Sequence, residues 1–470
     1  MRKLAVTIAL SLALAACTLA PRYERPAAPV ADTWPTGPSY AANQESQTPA
    51  AGIPWREFIK DARMRQVIEQ ALANNRDLRI TLANIQSARA QYRIQRSEQL
   101  PNVNGGISAT RSRSFNTFSD SGGAVESETY TASIGLSAFE IDLFGRVRSL
   151  SNAALESYLA TEEAARATRI SLIAETASAY LTLAADTSQR LLSQRTVESA
   201  QRSMEVTRKR LEAGVASRLD LRQAETIYQQ ARADLASTTA LIAQDRNALE
   251  LLAGSAIADA LLPSELPPDH DWLANVPAGL SSSVLLERPD VLQAEHQLKA
   301  ANANIGAARA AFFPSLSLTA STGLASTELS DLFNDGASIW SIGPSLTLPI
   351  FNGGANVANL AYANAQRDLF VSQYELAIQT AFREVADTLA VRGTIQDRLA
   401  AQRALVDAAA DSYRLADARY TKGVDSFLNA LDAQRTLYNA EQALVSARLI
   451  ESQNIVTLYR VLGGGLADAE

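Results

Sequence analysis

The sequence has one cysteine, two histidines and few aromatic residues, and these scarcities exclude several kinds of site. Because Cys17 is the only cysteine, the chain can form no internal disulfide, and its stability must come from packing. His270 and His296 lie far apart without a cysteine or carboxylate cluster at ligand spacing, so we expect surface histidines and no metal or cofactor site. No nucleophile, base and orienting group form a pattern that would indicate an enzyme.

The charge and the apolar composition narrow the possibilities further. The net charge is −7 and no cluster of Lys or Arg occurs, which excludes nucleic-acid binding. Hydrophobic residues make up 47% of the chain and aromatic residues only 6%. The hydrophobic residues that are not aromatic are largely alanine and leucine. This balance favours long, closely packed helices. After residue 16 no apolar run is long enough for a membrane-spanning helix, so a membrane span would have to be β.

The N-terminus has the form of an exported bacterial lipoprotein. Two basic residues precede the apolar stretch 4–16, which is too short to span a bilayer and has the proportions of a signal peptide. Small residues before Cys17 match a lipobox, in which the cysteine receives a diacylglycerol and becomes the new N-terminus. We therefore expect a signal peptide over 1–16 and a lipid on Cys17; the alternative is an ordinary signal peptide with an incidental cysteine. Because Thr18 follows rather than Asp, a resemblance to sorted lipoproteins implies the outer membrane.

The sequence contains an internal repeat with a period of roughly 210 residues. Several segments recur in the same order, namely 210–217 as 419–426, 100–103 as 313–316, Ile134-Gly135 as Ile342-Gly343, and Phe144-Gly145 as Phe351-Asn352-Gly353. The chain is therefore interpreted as two copies of one unit. The predicted divisions are an N-terminal extension 17–60, a first repeat 61–262, a linker 263–283, a second repeat 284–462 and a tail 463–470.

Each repeat is predicted to contain a helix, two strands, a very long helix, a tight turn and another helix. Alternating apolar residues predict strands over 102–114, 128–143, 315–325 and 339–350. No proline or glycine interrupts 148–213, and a helix of that length would reach about 99 Å at 1.5 Å per residue. Heptad spacing predicts coiled-coil packing within helical hairpins at 148–253 and 355–462.

The two turns and the four strands suggest how the chain assembles. Gly214 and Gly423 lie where helices would end, and Ser217 and Ser426 follow as candidate N-caps. Four strands of this length can cross a bilayer but cannot close into a barrel. Three copies supply twelve strands and leave no exposed edge, so the simplest assembly with a pore is a homotrimer.

Motifs along nearly all of the mature sequence carry a family resemblance. They are Pro21, Tyr23, Pro26 and Trp34, then Trp55 to Phe58, Asn75 to Leu78, Asp142 to Gly145, Leu285 to Asp290, Pro349 to Gly354 and Leu431 to Arg435. Together they resemble the TolC-like outer-membrane efflux proteins, and most closely the lipoprotein branch typified by OprM. The resemblance implies a mixed α/β membrane protein, a trimer with a twelve-stranded β-barrel, a small mixed equatorial region and a twelve-helix periplasmic α-barrel.

The resemblance also implies the function and the partners. The chain would be the passive exit duct of a tripartite efflux pump for drugs or other small toxic compounds, with a periplasmic adaptor and an inner-membrane RND-type transporter. A duct for polypeptides or for metal ions stays open, although a chain with only three methionines is a weak candidate for copper export. A structural coiled-coil lipoprotein is the other alternative, but a spacer would need neither four strands nor a duplication.

The resemblance places a gate on the helix after the second turn. Leu428, Asp432 and Arg435 are spaced so that they share one helical face. A leucine ring would constrict the tunnel, and Asp–Arg pairs would hold the three copies together. The equivalent positions of the first repeat are Leu219, Gln223 and Thr226. The alternative is a solvated ion pair within one helix.

The same resemblance suggests that the two turns contact the helical hairpin of the adaptor. The residues expected to do so are Gly214, Val215, Ser217, Gly423, Val424 and Ser426. An ordinary hairpin turn explains the glycines and serines equally well.

Overall fold

The computed structural model describes residues 18–40, 52–115, 124–269, 271–276 and 281–465. Cys17 with its predicted lipid, and His270, lie outside these residues. The described chain forms two compact units. The first comprises 18–27, 84–162 and 293–374, and the second comprises the described residues of 28–83, 163–292 and 375–465. Each unit therefore takes segments from both predicted repeats.

The N-terminal part of the chain contains three helices, of which the sequence patterns predicted only the last. They are α1 (Trp55–Phe58), α2 (Ala62–Asn74) and α3 (Arg76–Ser97). Asp61 is the N-cap of helix α2, and its carboxylate accepts a hydrogen bond of 2.7 Å from the amide of Met64. The Asn75 side chain accepts one of 3.0 Å from Leu78 and so separates α2 from α3. Helix α1 has only four residues, too few to show an apolar period. In α2, Met64, Val67, Ile68 and Ala71 are buried at helical spacing, so its period was present in the sequence and was missed.

The first unit contains one antiparallel sheet of four strands in the order β1-β2-β3-β4. The strands are β1 (Val103–Phe115), β2 (Ala124–Ile141), β3 (Ser315–Ser326) and β4 (Ser338–Thr347). The β2–β3 register shifts between Leu136 and Phe139, where Ala138 has a positive φ of 50°; this is a β-bulge. Strand β4 ends at Thr347, short of the predicted end at 350. It contains Pro344, which a strand paired on one side only can accommodate.

Five further α-helices lie in the described chain, together with three short 3-10 helices at Asp259–Leu261, Ser282–Glu287 and Leu329–Asp331. The α-helices are α4 (Arg146–Glu212), α5 (Arg218–Ala253), α6 (Pro289–Ala310), α7 (Ala355–Thr421) and α8 (Phe427–Val461). Helices α4 and α7 each have 67 residues. Six residues of α4 lie at heptad a/d spacing, namely Ile170, Ile173, Ala177, Tyr180, Ala184 and Leu191. All but Leu191, which is half-buried, are buried, so the packing face that this spacing predicts is confirmed. No helix among the described residues is both long and apolar enough to cross a membrane.

Several motif residues form the core of the second unit. The rings of Phe58 and Tyr459 stack with their centroids 3.9 Å apart, and Trp55 is fully buried. Arg288 is also buried; its Nη2 donates to Glu384 at 2.9 Å and its Nη1 to the carbonyl of Val461 at 2.8 Å. These contacts join segments distant in sequence, which explains why the motif residues are large aromatic groups and one arginine.

Candidate functional site

Both turns between long helices have the same backbone geometry. After α4, Gly214 has a φ of 74° and its amide donates to the carbonyl of Leu211, while the amide of Val215 donates to Arg210 at 2.9 Å. After α7, Gly423 has a φ of 76° and the same pair of hydrogen bonds recurs. This is a Schellman motif, which requires a left-handed residue and therefore favours glycine. The predicted role of both glycines as helix ends is confirmed.

The two turns differ in how the next helix begins. Ser217 forms a capping box with Asp220, with its hydroxyl accepting from the Asp220 amide at 3.1 Å. Ser426 occupies the N-cap position of α8, but its side chain makes no capping hydrogen bond, so the predicted cap is wrong in that detail. Asp425 instead accepts from the Ser426 amide at 2.9 Å and from the Asn429 side chain at 2.7 Å.

Asp425 also ties its turn to the end of α7. Its carboxylate pairs with Arg419 at 3.1 Å. The Ser426 amide, then Arg419 and Asn429, hold the pKa of Asp425 below its ordinary value. The first turn has Ala216 at the equivalent position and cannot form this pair. The second turn is therefore the more strongly braced and the only one of the two that carries an acidic side chain at this position.

The ends of α4 and α7 pack against each other beneath the turns. The guanidinium of Arg210 lies 4.5 Å from the ring centroid of Tyr420 and donates to its carbonyl at 3.1 Å. The Tyr420 ring in turn contacts Phe427, with centroids 5.0 Å apart, in a small apolar cluster that includes Leu431. Gly214 and Gly423 are 209 residues apart in sequence. The two turns thus follow helix ends that pack against each other.

The three predicted gate residues lie on one face of α8. Leu428 is 48% exposed. Asp432 and Arg435 approach to 3.7 Å, with side chains 63% and 67% exposed. An ion pair with this exposure contributes little to the stability of one chain. Both charges are therefore available to groups outside the chain.

A groove of about 600 Å³ between α5 and α8 contains the gate residues. Gln223 and Thr226, the first-repeat equivalents of Asp432 and Arg435, line the same groove. The structure thus brings together the equivalent faces of both repeats, one neutral and one charged. Leu219 is 65% exposed but is not among the lining residues.

Polar contacts fix the α8 side of this groove. Tyr438 donates to Asp234 at 3.1 Å and lies 3.0 Å from the hydroxyl of Ser193. Gln434 donates to Ser199 at 3.2 Å. Helix α8 is therefore held to α4 and α5 by specific hydrogen bonds from residues next to its exposed charges. Sequence reasoning missed these contacts because their partners are more than 200 residues away.

The first unit holds the segment that follows Cys17. The Thr18 hydroxyl lies 3.3 Å from that of Ser149, and Asn302 donates to the carbonyl of Pro21 at 2.8 Å. Tyr23 donates to the buried carboxylate of Glu295 at 3.1 Å. The motif residues Pro21 and Tyr23 therefore serve to dock this segment on α4 and α6.

His296 is not the surface histidine expected from the sequence. Its Nδ1 lies 2.6 Å from a carboxylate oxygen of Glu156, and its side chain is 19% exposed. Among the described residues, no group of three or more His, Cys, Asp or Glu side chains is placed to hold a metal ion.

Comparison with known proteins gives consistent matches. A family model described as outer membrane efflux protein matches residues 67–255 and again 280–464. The antibiotic efflux pump outer membrane protein ArpC of Pseudomonas putida is 49% identical over 453 residues, covering 96% of this chain and 93% of that protein. The toluene efflux pump outer membrane protein TtgC, also of Pseudomonas putida, has the same identity and coverage. The crystal structure of the open state of the Neisseria gonorrhoeae MtrE outer membrane channel has a TM-score of 0.85 at 39% identity, covering 96% of this chain and 99% of that one.

Proposed function

The chain belongs to the outer membrane efflux protein family, and on that premise we propose that it is the passive exit duct of a tripartite, RND-type efflux pump. Drugs and other small toxic compounds leave the periplasm through a homotrimeric channel in the outer membrane. The transporter supplies the energy, and the duct supplies the path.

The sheet with two open edges is the observation that carries this proposal. Among the described residues, β1 pairs only with β2 and β4 pairs only with β3. Open edges of long strands attract further strands, and joining three sheets edge to edge removes them all in a twelve-stranded barrel. A barrel of that size is wider than the eight-stranded kind that side chains fill. Helices α4, α5, α7 and α8 of three copies supply the twelve helices of the periplasmic tunnel.

The gate is assigned to Leu428, Asp432 and Arg435. The support is their shared face on α8 and the exposure of both charges. In the trimer each charged group pairs with a neighbouring copy, and the leucines narrow the tunnel. Oxidation of a Leu428→Cys variant should then link copies of the chain covalently, and a trimer that never forms this link would move the constriction elsewhere.

The lipid anchor is assigned to Cys17. The support is the lipobox sequence and the docking of the next residues, from Thr18 onward, on the first unit. The mass of the N-terminal peptide of the mature protein decides the matter, because an acylated cysteine is heavier by its fatty acids. An unmodified Cys17 at the N-terminus or within a longer peptide would contradict the assignment.

The contact with the adaptor is assigned to the two turns. Val215 and Val424 are 67% and 64% exposed, although each is an apolar residue directly after a Schellman glycine. Paired exposed apolar residues at equivalent turns suit a partner with a repeated helical tip. The bracing at Asp425 keeps the second turn in a fixed shape for such a partner.

Complementation in cells tests the proposed duct. The chain is expressed with its own adaptor and transporter in a strain that lacks an outer-membrane efflux duct, and accumulation of a fluorescent efflux dye is measured. We expect lower accumulation and higher antibiotic tolerance than with adaptor and transporter alone. If the protein reaches the outer membrane as a trimer but dye accumulation and antibiotic tolerance stay unchanged, the proposal of a small-molecule duct is wrong. Assays of polypeptide secretion and of metal tolerance then discriminate between the alternative ducts.

A further inference from the structure

The four-stranded sheet of the first unit has two unlike faces. Residues that face each other on antiparallel strands project their side chains to the same side, so the three registers assign each paired residue to one face. One face comprises the even residues 104–114, the odd residues 125–135 with Glu140, the odd residues 315–325 and the odd residues 339–347. We call it the hydroxyl face, because nearly every member is serine, threonine or glycine. The exceptions are Asn104, Glu140 and the apolar residues Val125, Ala325 and Ile339 near the loop ends of the strands.

The opposite face of the sheet is apolar and has to be covered by lipid. Ile107, Trp340 and Ile342 lie on it and are 80%, 75% and 65% exposed in the single chain. The chain belongs to a family of outer membrane proteins, so the hydrocarbon of that membrane is the medium that suits this face. The hydroxyl face, on the other side of the same strands, is therefore the side that borders the cargo path of the proposed duct.

Charged side chains are nearly absent from the hydroxyl face. Among the strand residues, Glu140 is the only charged one on this face; it lies beyond the β-bulge, opposite Ser317. The other charged residues of the strands lie on the apolar face near the loop end of β1 and β2, where they pair with one another; they are Arg111, Arg113, Glu126 and Glu128. The hydroxyl face would therefore carry one negative charge per chain if Glu140 had no partner.

Arg146 neutralises Glu140. Its Nε donates to one carboxylate oxygen at 2.9 Å and its Nη2 to the other at 2.5 Å, which is the two-point geometry of strong arginine–carboxylate pairs. The side chains of Glu140 and Arg146 are 25% and 40% exposed, so water shields the pair only partly. Asp142 and Glu98 also lie within electrostatic range of Arg146, and Asp142 has an arginine of its own, Arg148, at 3.7 Å. The carboxylate of Glu140 thus adds no net charge to the hydroxyl face.

The position of Arg146 is not explained by the helix that it begins. The start of a helix favours acidic side chains, because the unpaired amides there carry a positive partial charge. Helix α4 has no acidic residue in its first turn and has Arg146 and Arg148 there instead. The Arg146 side chain pairs with Glu140 at the end of β2. Its placement therefore serves the strand rather than the helix.

The second repeat supports the same interpretation. In the duplication Glu140 corresponds to Thr347, because each lies four residues before the shared phenylalanine. Arg146 corresponds to Gly354, because each directly follows the shared glycine. Thr347 also lies on the hydroxyl face. Both charges are present in the first repeat and both are absent from the second, so what the two repeats share at this place is neutrality.

We propose that the hydroxyl face is the wall of the cargo path within the membrane, and that the Glu140–Arg146 pair keeps this wall without net charge. A ring of charged side chains around a pore selects the ions that pass. With Glu140 neutralised, cationic, anionic and neutral small molecules meet the same uncharged surface. Selection by charge is then left to other parts of the duct, such as Asp432 and Arg435. This inference rests on the proposed duct and adds how one stretch of it treats charged cargo.

Hydrogen bonds within the wall fit this role. The hydroxyls of Ser321 and Ser341 lie 2.8 Å apart across β3 and β4, and those of Ser112 and Ser127 lie 2.9 Å apart across β1 and β2. Hydroxyls that are already paired gain little from binding a passing molecule. Small paired side chains therefore give a wide path with few groups that would retain cargo.

Ion selectivity tests the role of Arg146. The reversal potential of single channels in a sodium chloride gradient gives the ratio of cation to anion permeability. Arg146→Gln leaves Glu140 unpaired, Glu140→Gln leaves Arg146 unpaired, and the double variant removes both charges together. Arg111→Gln is the matched control, because Arg111 belongs to an exposed ion pair of the same sheet but lies on the apolar face. Every variant is made in an Asp432→Ala, Arg435→Ala background, so that the gate charges do not dominate the ratio.

We expect Arg146→Gln to raise the permeability ratio at least about twofold and Glu140→Gln to lower it by a similar factor, because three copies place three like charges around the path. The double variant and Arg111→Gln should keep the ratio of the background. A purely structural role of the pair would give another pattern, since the double variant loses the link between β2 and α4 as completely as either single variant does.

Three results would overturn the proposal while leaving the duct in place. Unchanged ratios in both single variants would exclude the neutralising role of Arg146. A shift in the double variant as large as in a single variant would assign the effect to a change of structure instead of charge. A shift for Arg111→Gln as large as for Arg146→Gln would contradict the assignment of the two faces. Trimers that never conduct would contradict the proposed duct itself.

Two substitutions of Ser321 test the wall without disturbing the ion pair, and they decide the matter where a variant of Arg146 or Glu140 does not assemble. Ser321 lies within β3 on the hydroxyl face, opposite Ser341. Ser321→Glu should raise the permeability ratio and Ser321→Lys should lower it. Equal ratios for these two variants in conducting trimers would show that the hydroxyl face does not line the path.

Discussion

The Arg25 guanidinium donates two hydrogen bonds to the carboxylate of Glu295, at 3.1 Å from Nε and 2.7 Å from Nη2. Glu295 is only 2% exposed, and Lys299 is its other cation, at 3.2 Å. Burial opposes the charged form, but the hydrogen bonds from Arg25 and Lys299 outweigh it and lower the pKa of Glu295. The segment after Cys17 is thus held by a buried charge.

Removing Arg25 should release this segment. In an Arg25→Ala variant the buried Glu295 loses both hydrogen bonds from Arg25, which we expect to cost about 1–3 kcal/mol. Protease cleavage between residues 18 and 34 should become faster than in the unsubstituted trimer. Arg22→Ala is the control, because Arg22 is exposed on the same segment. Equal cleavage of the two variants would show that the Arg25 contact does not hold the segment.

Matched serine substitutions at the two turns should have unequal effects. Ser217→Ala removes a complete capping box and should destabilise the start of α5 by about 1 kcal/mol. Ser426→Ala should have little effect, because the Ser426 side chain makes no capping hydrogen bond. Hydrogen exchange at the amide of Asp220 measures the effect of Ser217→Ala, and exchange in the first turn of α8 measures that of Ser426→Ala. Similar losses of protection at the two turns would contradict the assigned difference.

Two aspartates on α4 and α5 should make stability depend on pH. Burial, then the hydrogen bond and the negative charge of Asp186, raise the pKa of Asp245 to about 7. The folded chain therefore holds this proton more tightly than the unfolded chain. The contribution of this bound proton to the free energy of unfolding is fully present below about pH 4 and is lost as the pH rises through about 7.

An Asp245→Asn variant isolates this effect. It should be more stable than the unsubstituted chain at pH 8, by on the order of 1 kcal/mol once solvent screening is allowed for, and similar at pH 4. Thermal unfolding at both pH values gives the comparison. Asp407→Asn is the control, since Asp407 is exposed on α7. A benefit of Asp245→Asn that is the same at both pH values would exclude the proposed titration.

Local rules explain what the sequence predicted well. Gly214 and Gly423 were recognisable because a helix end with a left-handed residue favours glycine wherever it occurs. The heptad positions of α4 were equally readable, because burial on one helical face imposes a fixed period. The gate residues came from the family resemblance, and their common face on α8 follows from helical spacing alone.

Contacts in space explain what the sequence could not predict. The cap of α8 depends on Asp425, whose partners include Arg419 on the preceding helix. Glu295 meets Arg25 across 270 residues of chain, and no local pattern records such a pair. The two compact units could not be predicted either, because each combines segments of both repeats.

Charges placed at both turns should weaken adaptor binding. A Val215→Glu, Val424→Glu variant puts carboxylates at exposed apolar positions, and we expect adaptor affinity to fall at least about tenfold, or about 1.4 kcal/mol. Leu405→Glu is the control, because Leu405 is also exposed but lies within α7, away from the turn. Binding of purified trimer to immobilised adaptor measures the affinity of the double variant and of the control. Unchanged affinity of the double variant would exclude the turns as the adaptor contact.

Single-channel conductance in a planar bilayer tests the duct and its gate most directly. Purified trimers of the unsubstituted chain are compared with an Asp432→Ala, Arg435→Ala variant and with a Gln223→Ala, Thr226→Ala control in the same groove. We expect a small conductance for the unsubstituted chain and the control, and a larger one for the charge-free variant. Equal conductance in all three would leave the duct but remove the gate from Asp432 and Arg435. Folded trimers that never conduct, with or without these charges, would contradict the central claim that this chain encloses a channel.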